Sequence, residues 1–301
     1  MIIVLIVLAG AVYVLFAGLP WKDSSKGSSK GVAETDGGAQ DNTDKADAAG
    51  SPAGHNDEED IVPWNPVGVS SLFFYDIARV DRYESFAARM PELPYENVVW
   101  MVDADLDIPP YSDTKEVPDP MELTLLVNKH FFLPDGFAPA DLVTINNTML
   151  RKETADAMQE MIDAAAGEGH NLWVQSGYRS YEIQVNLYNQ YSERDGPDAA
   201  DTYSARPGYS EHQTGLTADL NTITDAFGET PEGRWVTENC WQYGFIVRYT
   251  KENTDITLYR PEPWHVRYIG KEAAANMHDV GFLSYEEYWV KFVKYAPPSA
   301  G

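Results

Sequence analysis

The chain has one cysteine, Cys240, which excludes an internal disulfide and a cysteine-based metal cluster. Positive charge is scarce too: 22 Lys and Arg stand against 47 Asp and Glu, a formal net charge of −25. That balance argues against nucleic acid as a partner and against adhesion to anionic head groups. Charged side chains are missing from residues 1–19, and Leu, Ile, Met and aromatic residues are missing from 22–60. No internal repeat stands out. What remains is ordinary. With 301 residues, 44% of them hydrophobic and 12% aromatic, the chain suffices for one sizeable domain with appendages or for two small ones.

The uncharged run is close to the ~20 apolar residues that span a hydrocarbon core. No Lys or Arg precedes it, as one would in a cleaved signal peptide, and no cysteine offers a lipoprotein attachment site. Residues 1–21 are therefore expected to form a transmembrane helix, as an anchor or an uncleaved signal. Lys22, Lys26 and Lys30 follow it, which on the positive-inside rule favours a cytoplasmic downstream side. The composition of 22–60 weighs the other way. Ten acids, four lysines, Ser, Gly and Ala cannot bury enough apolar surface to offset their ordering entropy, so this stretch reads as a solvated linker. We expect the catalytic part to be extracytoplasmic, tied to the cell membrane by a single pass.

Residues 61–122 read as a small N-terminal subdomain of unknown role, punctuated by Pro91, Pro94, Pro109, Pro110, Pro118 and Pro120. The main domain spans 123–297. Leu123–Val127 looks like a strand, and Met149 to Ala165 has helical spacing of its apolar residues. Leu172–Val174, Leu216–Leu220, Gly244–Tyr249 and His265–Ile269 read as short strands. Tyr181–Tyr191, Lys271–Val280 and Ser284–Tyr295 read as helices. The order predicts an α+β fold with a small sheet carrying the site.

The chemistry concentrates in Ser210-Glu211-His212-Gln213-Thr214-Gly215-Leu216-Thr217-Ala218-Asp219 and Glu262-Pro263-Trp264-His265. Two histidines and an aspartate are three ligands, which leaves the open position that distinguishes catalytic from structural zinc. A nearby unbound glutamate can take a proton from water. Pro261 and Pro263 make a helix around Glu262 unfavourable, so it should sit on a bend with His265 at the start of a strand. Single residues carry less weight. A lone histidine is more often a hydrogen-bonded structural side chain than a ligand, so His55, His130, His170 and His278 (the last with no acid or His partner at metal spacing) read as structural, and Cys240 as a small core residue.

Together with Ser176-Gly177-Tyr178-Arg179-Ser180 and Ala205-Arg206-Pro207-Gly208-Tyr209, these segments resemble the VanY-type D-alanyl-D-alanine carboxypeptidases. Those belong to the zinc D,D-peptidases that include VanX-type dipeptidases and phage endolysin peptidases. The resemblance runs from roughly Leu123 to Ile269, with four motifs in the family's order. It implies a compact fold around a central antiparallel sheet flanked by helices. It also implies one Zn2+ per chain held by His212, Asp219 and His265, with Glu262 as catalytic base. Arg179 would polarise the scissile carbonyl, and Ser210 and Gln184 would line the substrate pocket. The implied partner is a peptidoglycan stem peptide ending in D-Ala-D-Ala. An endopeptidase is the nearest alternative activity. A zinc-stabilised peptidoglycan-binding module without turnover is the alternative from another class, and it would need neither Glu262 nor Arg179.

Overall fold

The computed structural model describes residues 71–295, together with the backbone of 5–8 and 11–14. The linker expected at 22–60 and residues 61–70 lie outside the described residues, as does the end of the chain from 296. Within the apolar run, β1 (Leu5–Leu8) and β2 (Ala11–Val14) pair as an antiparallel hairpin, in place of the expected single helix. An unbroken apolar run has no periodicity to separate helix from strand, and its β-branched Ile6, Val7, Val12 and Val14 suit extended backbone. Among the described residues no helix is long and apolar enough to cross a membrane.

From residue 71 the chain builds two adjoining hydrophobic clusters. In the first, α1 (Val80–Arg89) and α2 (Tyr95–Asp103) bury Tyr83, Phe86, Val98, Val99 and Val102. Val290, near the other end of the chain, completes that cluster. The N-terminal segment is thus closed by the C-terminal one. An ion-pair network supports it, with Arg79 near Asp103 and Arg82 and Lys115 on Asp105.

Past a short parallel pair, β3 (Lys115–Glu116) with β4 (Phe131–Phe132), and the β5–β6 hairpin of residues 142–151, the second cluster surrounds a four-stranded antiparallel sheet. Its strands are β7 (Val174–Ser176), β8 (Thr217–Leu220), β9 (Phe245–Val247) and β10 (His265–Tyr268), in the order β7-β8-β10-β9. Both central strands, β8 and β10, are buried along their whole length, as expected of strands covered on both faces. On one side lies α3 (Lys152–Gly167), whose Met158, Met161 and Ala165 follow helical spacing into the core.

Local expectation and structure part at two places. Met149, Leu150 and Arg151 belong to a strand: β5 (Leu142–Ile145) and β6 (Thr148–Arg151) form a hairpin around Asn146-Asn147. Asn146 takes the left-handed backbone such a two-residue turn demands (φ 50°). Leu123–Val127 is not a strand either. Its carbonyls are taken by side chains: Arg267 donates to Leu123 and Leu125, and the Tyr285 hydroxyl donates to Thr124. With those acceptors spent on Arg267 and Tyr285, the segment stays irregular though Leu125, Leu126 and Val127 are buried.

Candidate active site

Strand register does most of the assembly. His265, the first residue of β10, is the direct cross-strand partner of Asp219 on β8, so the two side chains share a face. His212 arrives from a short 3-10 turn, Glu211–Thr214, that leads into β8. Ser210 caps this turn by accepting a hydrogen bond from the His212 amide, and Gly215 ends it in the left-handed region (φ 67°). A Cβ on Gly215 would stand 3.0 Å from Arg151 and Leu142 side-chain atoms, so the turn needs glycine on both counts.

Glu262 sits on the bend that precedes β10. Its amide donates to the Tyr249 carbonyl, and its own carbonyl accepts from the His265 amide at 3.0 Å. That one turn brings the Glu262 carboxylate within 3.5 Å of His265 Nδ1.

The three expected ligands converge. His212 Nε2 lies 3.3 Å from one Asp219 oxygen and His265 Nδ1 lies 3.3 Å from the other. One ligand atom from each residue fits within 4.8 Å of the others, and all three residues are buried. Each imidazole faces a different Asp219 oxygen, so the three side chains surround one position from three sides. Asp219 Oδ1 is buried and makes no hydrogen bond despite its imidazole neighbour, an orphaned acceptor that a cation would satisfy. The residues present therefore fit a divalent metal.

Each imidazole is aimed by the nitrogen that faces away from Asp219. His212 Nδ1 contacts the Gly177 carbonyl at 2.7 Å, which leaves Nε2 bare in the tautomer that donates there. Gly177 is itself required, because a Cβ there would fall 2.5 Å from the Met149 carbonyl. His265 Nε2 faces Glu211 Oε2 at 3.4 Å, which leaves Nδ1 for the metal. Glu211 is a residue whose role its sequence neighbourhood did not disclose. Its other oxygen accepts from Arg248 (2.9 Å) and Arg267 (3.1 Å), and Arg248 closes on Glu286 through two further bonds. All four side chains are at most 1% exposed.

The electrostatics describe an anionic socket. Burial alone would hold Asp219 and Glu211 up, yet the imidazoles and arginines keep both carboxyls well below the usual range. Burial opposes charging of His265, but Asp219 and Glu211 overcome it and push the imidazole up to about 9. Burial raises Glu262 to about 7, with His265 pulling it partly back. A carboxyl so placed is matched to proton transfer near neutral pH.

Arg179 follows β7 and lines the same cleft, a cavity of about 160 Å³. Its amide donates to the His212 carbonyl, and its guanidinium donates to Gln184 Oε1 at 2.8 Å. Gln184 is almost fully buried and is held through the Ala205 carbonyl at 2.6 Å. Through these two bonds Gln184 braces Arg179 against the Ala205 backbone. Ser210 lines the cleft.

The family model described as VanY, D-alanyl-D-alanine carboxypeptidase, matches residues 147–271, which hold Arg179, Gln184, Ser210, His212, Asp219, Glu262 and His265. A Bacillus subtilis protein assigned as a carboxypeptidase, YodJ, is 41% identical over 204 residues, 62% of this chain and 74% of that protein. A D-alanyl-D-alanine carboxypeptidase of Enterococcus faecalis is 35% identical over 186 residues, 58% of this chain and 68% of that one. The chain belongs to the VanY family. Its members include D-alanyl-D-alanine carboxypeptidases, and this VanY chain is a metallopeptidase. Among solved structures it is similar to the LdcB LD-carboxypeptidase, with a TM-score of 0.57 and 40% identity over 60% of this chain and 91% of that one. It is also similar to the D,D-dipeptidase VanXYg in complex with a D-Ala-D-Ala phosphinate analogue. There the TM-score is 0.51 with 32% identity, over 56% of this chain and 70% of that one.

Proposed function

We propose that this VanY chain is a zinc-dependent D,D-carboxypeptidase that removes the terminal D-alanine from peptidoglycan stem peptides. The observation that carries the reading is the buried His212, Asp219 and His265 set with Glu262 3.5 Å from His265 Nδ1. The relative of known substrate type from Enterococcus faecalis supports the terminal D-alanyl-D-alanine specificity. His212, Asp219 and His265 would hold the zinc, and bound zinc supplies a Lewis acid that acidifies water and polarises a carbonyl. Glu262 takes the proton from the attacking water and delivers it to the amine of the departing D-alanine. Arg179, fixed by Gln184, presents positive charge where the carbonyl oxygen becomes negative.

The likeness to LdcB favours a second reading, release of D-alanine from an L,D bond. One assay separates the two. Purified protein is incubated with a stem pentapeptide ending in D-Ala-D-Ala and, separately, with the tetrapeptide ending in an L,D bond. Mass spectrometry of the products should show loss of one alanine from the pentapeptide, abolished by a chelator and restored by zinc. Loss from the tetrapeptide alone would replace the D,D reading with the L,D one. Chelator-resistant turnover would remove zinc from the reaction.

We further propose that the apolar run within residues 1–21 holds the catalytic domain at the outer face of a membrane, with 22–60 as tether. The uncharged composition of the first and the acidic, apolar-poor composition of the second support this. Protease added to intact cells should then release a fragment that begins within 22–60. A protein recovered whole from the soluble cytoplasmic fraction would contradict it.

A further inference from the structure

The cleft carries two arginines, and the reaction above uses one. Arg179 is spoken for by Gln184 and lies beside His212. Arg260 lines the same cleft from the loop before Glu262. Every other arginine among the described residues ion-pairs or hydrogen-bonds through its guanidinium with a protein acceptor. Arg260 has no such acceptor among the described residues, in a chain whose acids outnumber its bases 47 to 22. Arg260 is exposed at the cleft mouth and its charge acts on the nearby Glu262 carboxylate, yet its guanidinium has no hydrogen-bond acceptor among the described residues. It stands next to the reacting groups.

The loop holds it in place. Buried Lys129 donates to the carbonyls of both Leu258 (2.8 Å) and Asp201 (2.7 Å), which fastens the Arg260 loop to the segment that contains Tyr203. The Arg260 amide adds a bond to the Thr202 carbonyl at 3.0 Å. Pro261 confines the Arg260 backbone to extended conformations. The guanidinium then lies over the Tyr203 ring, 5.2 Å from its centroid, and the Tyr203 hydroxyl is anchored on Asp195. A ring under one face of a guanidinium leaves its in-plane N–H fork open to an acceptor.

We propose that Arg260 is a specificity residue that binds a carboxylate of the substrate. The inference rests on the carboxypeptidase reading, because such a substrate carries a free carboxylate one residue beyond the scissile bond. The other charged groups lining the cleft leave that role vacant. Glu211, Asp219 and Glu262 are acids, His212 and His265 face the metal position, and Arg179 is directed at the carbonyl. A charge-assisted, two-pronged contact from Arg260 fixes which end of the peptide enters the cleft. The bound carboxylate is either the terminal one or a side-chain carboxylate further up the stem.

The test compares wild type with Arg260→Gln on three pentapeptides. One has both carboxylates, one ends in a carboxamide, and one has its side-chain carboxylate amidated. On the first, KM should rise about tenfold or more with kcat little changed, since the contact is made equally in ground and transition states. The penalty should vanish on whichever amidated peptide lacks the bound carboxylate, and that names the source. An equal penalty on all three peptides, or a fall in kcat with KM unchanged, overturns the proposal. Calorimetric binding of the same peptides to Glu262→Gln, with and without Arg260→Gln, reads the anchor without turnover. A wild type that hydrolyses nothing would therefore sink the assigned reaction, while the binding constants still decide Arg260.

Discussion

Glu262→Gln should lose kcat by roughly 10²–10⁴-fold, the span general acid–base catalysis contributes, while metal content per chain stays unchanged. The substitution keeps the shape of a side chain that sits on the bend before β10 with its carboxylate 3.5 Å from His265 Nδ1. It removes only the capacity to hold a proton between water and leaving amine. The three expected ligands are untouched, so elemental analysis should return the same metal per chain. Kinetics and metal content must be measured on the same preparation, because loss of both would make Glu262 a ligand. Turnover close to wild type would assign the base to another group.

Glu211→Gln should produce the second large effect, and for a different reason. Glu211 neutralises Arg248 and Arg267 in a region where neither is exposed, and it also orients His265. Breaking a buried ion pair from one side costs about 3–5 kcal/mol, which in a domain of this size lowers Tm by about 6–20 °C. Loss of an outer partner of a metal-binding histidine costs ~10–100-fold in metal affinity. Competition against a calibrated chelator and a thermal melt of the metal-free protein measure the two effects separately. Unaltered affinity with a lowered Tm would confine Glu211 to stability. If both stay at wild-type values, the network has no role in either.

The contrast between these two glutamates shows what could be read early. Glu262 was legible as a candidate because it travels with its site: Pro261, Pro263 and His265 flank it, and the pattern names a bend beside a histidine. Glu211 is adjacent to His212 in sequence, yet its role depends on Arg248 and Arg267, 37 and 56 residues away. Gln184 gives the same lesson in reverse. That position, which the resemblance assigns to the pocket lining, lies on helix α4 (Tyr181–Asp195) and bonds Arg179 and the Ala205 carbonyl, 5 and 21 residues away. Leu123–Val127 has the composition of a strand, but Arg267 and Tyr285 occupy its carbonyls.

From the amino-acid order alone came His212, Asp219 and His265 as candidate donors and the small sheet, because each motif rests on residue types at short spacing, while the reaction class and the candidate base came with the resemblance those motifs carry. Tertiary structure decided the rest. It chose the nitrogen each imidazole turns to the metal, the ion network that locks His265, the chain end that closes the N-terminal cluster, and the arginine left open in the cleft. Those depend on which distant groups meet in a buried, low-dielectric interior, where one paired charge or one missing partner outweighs any local preference.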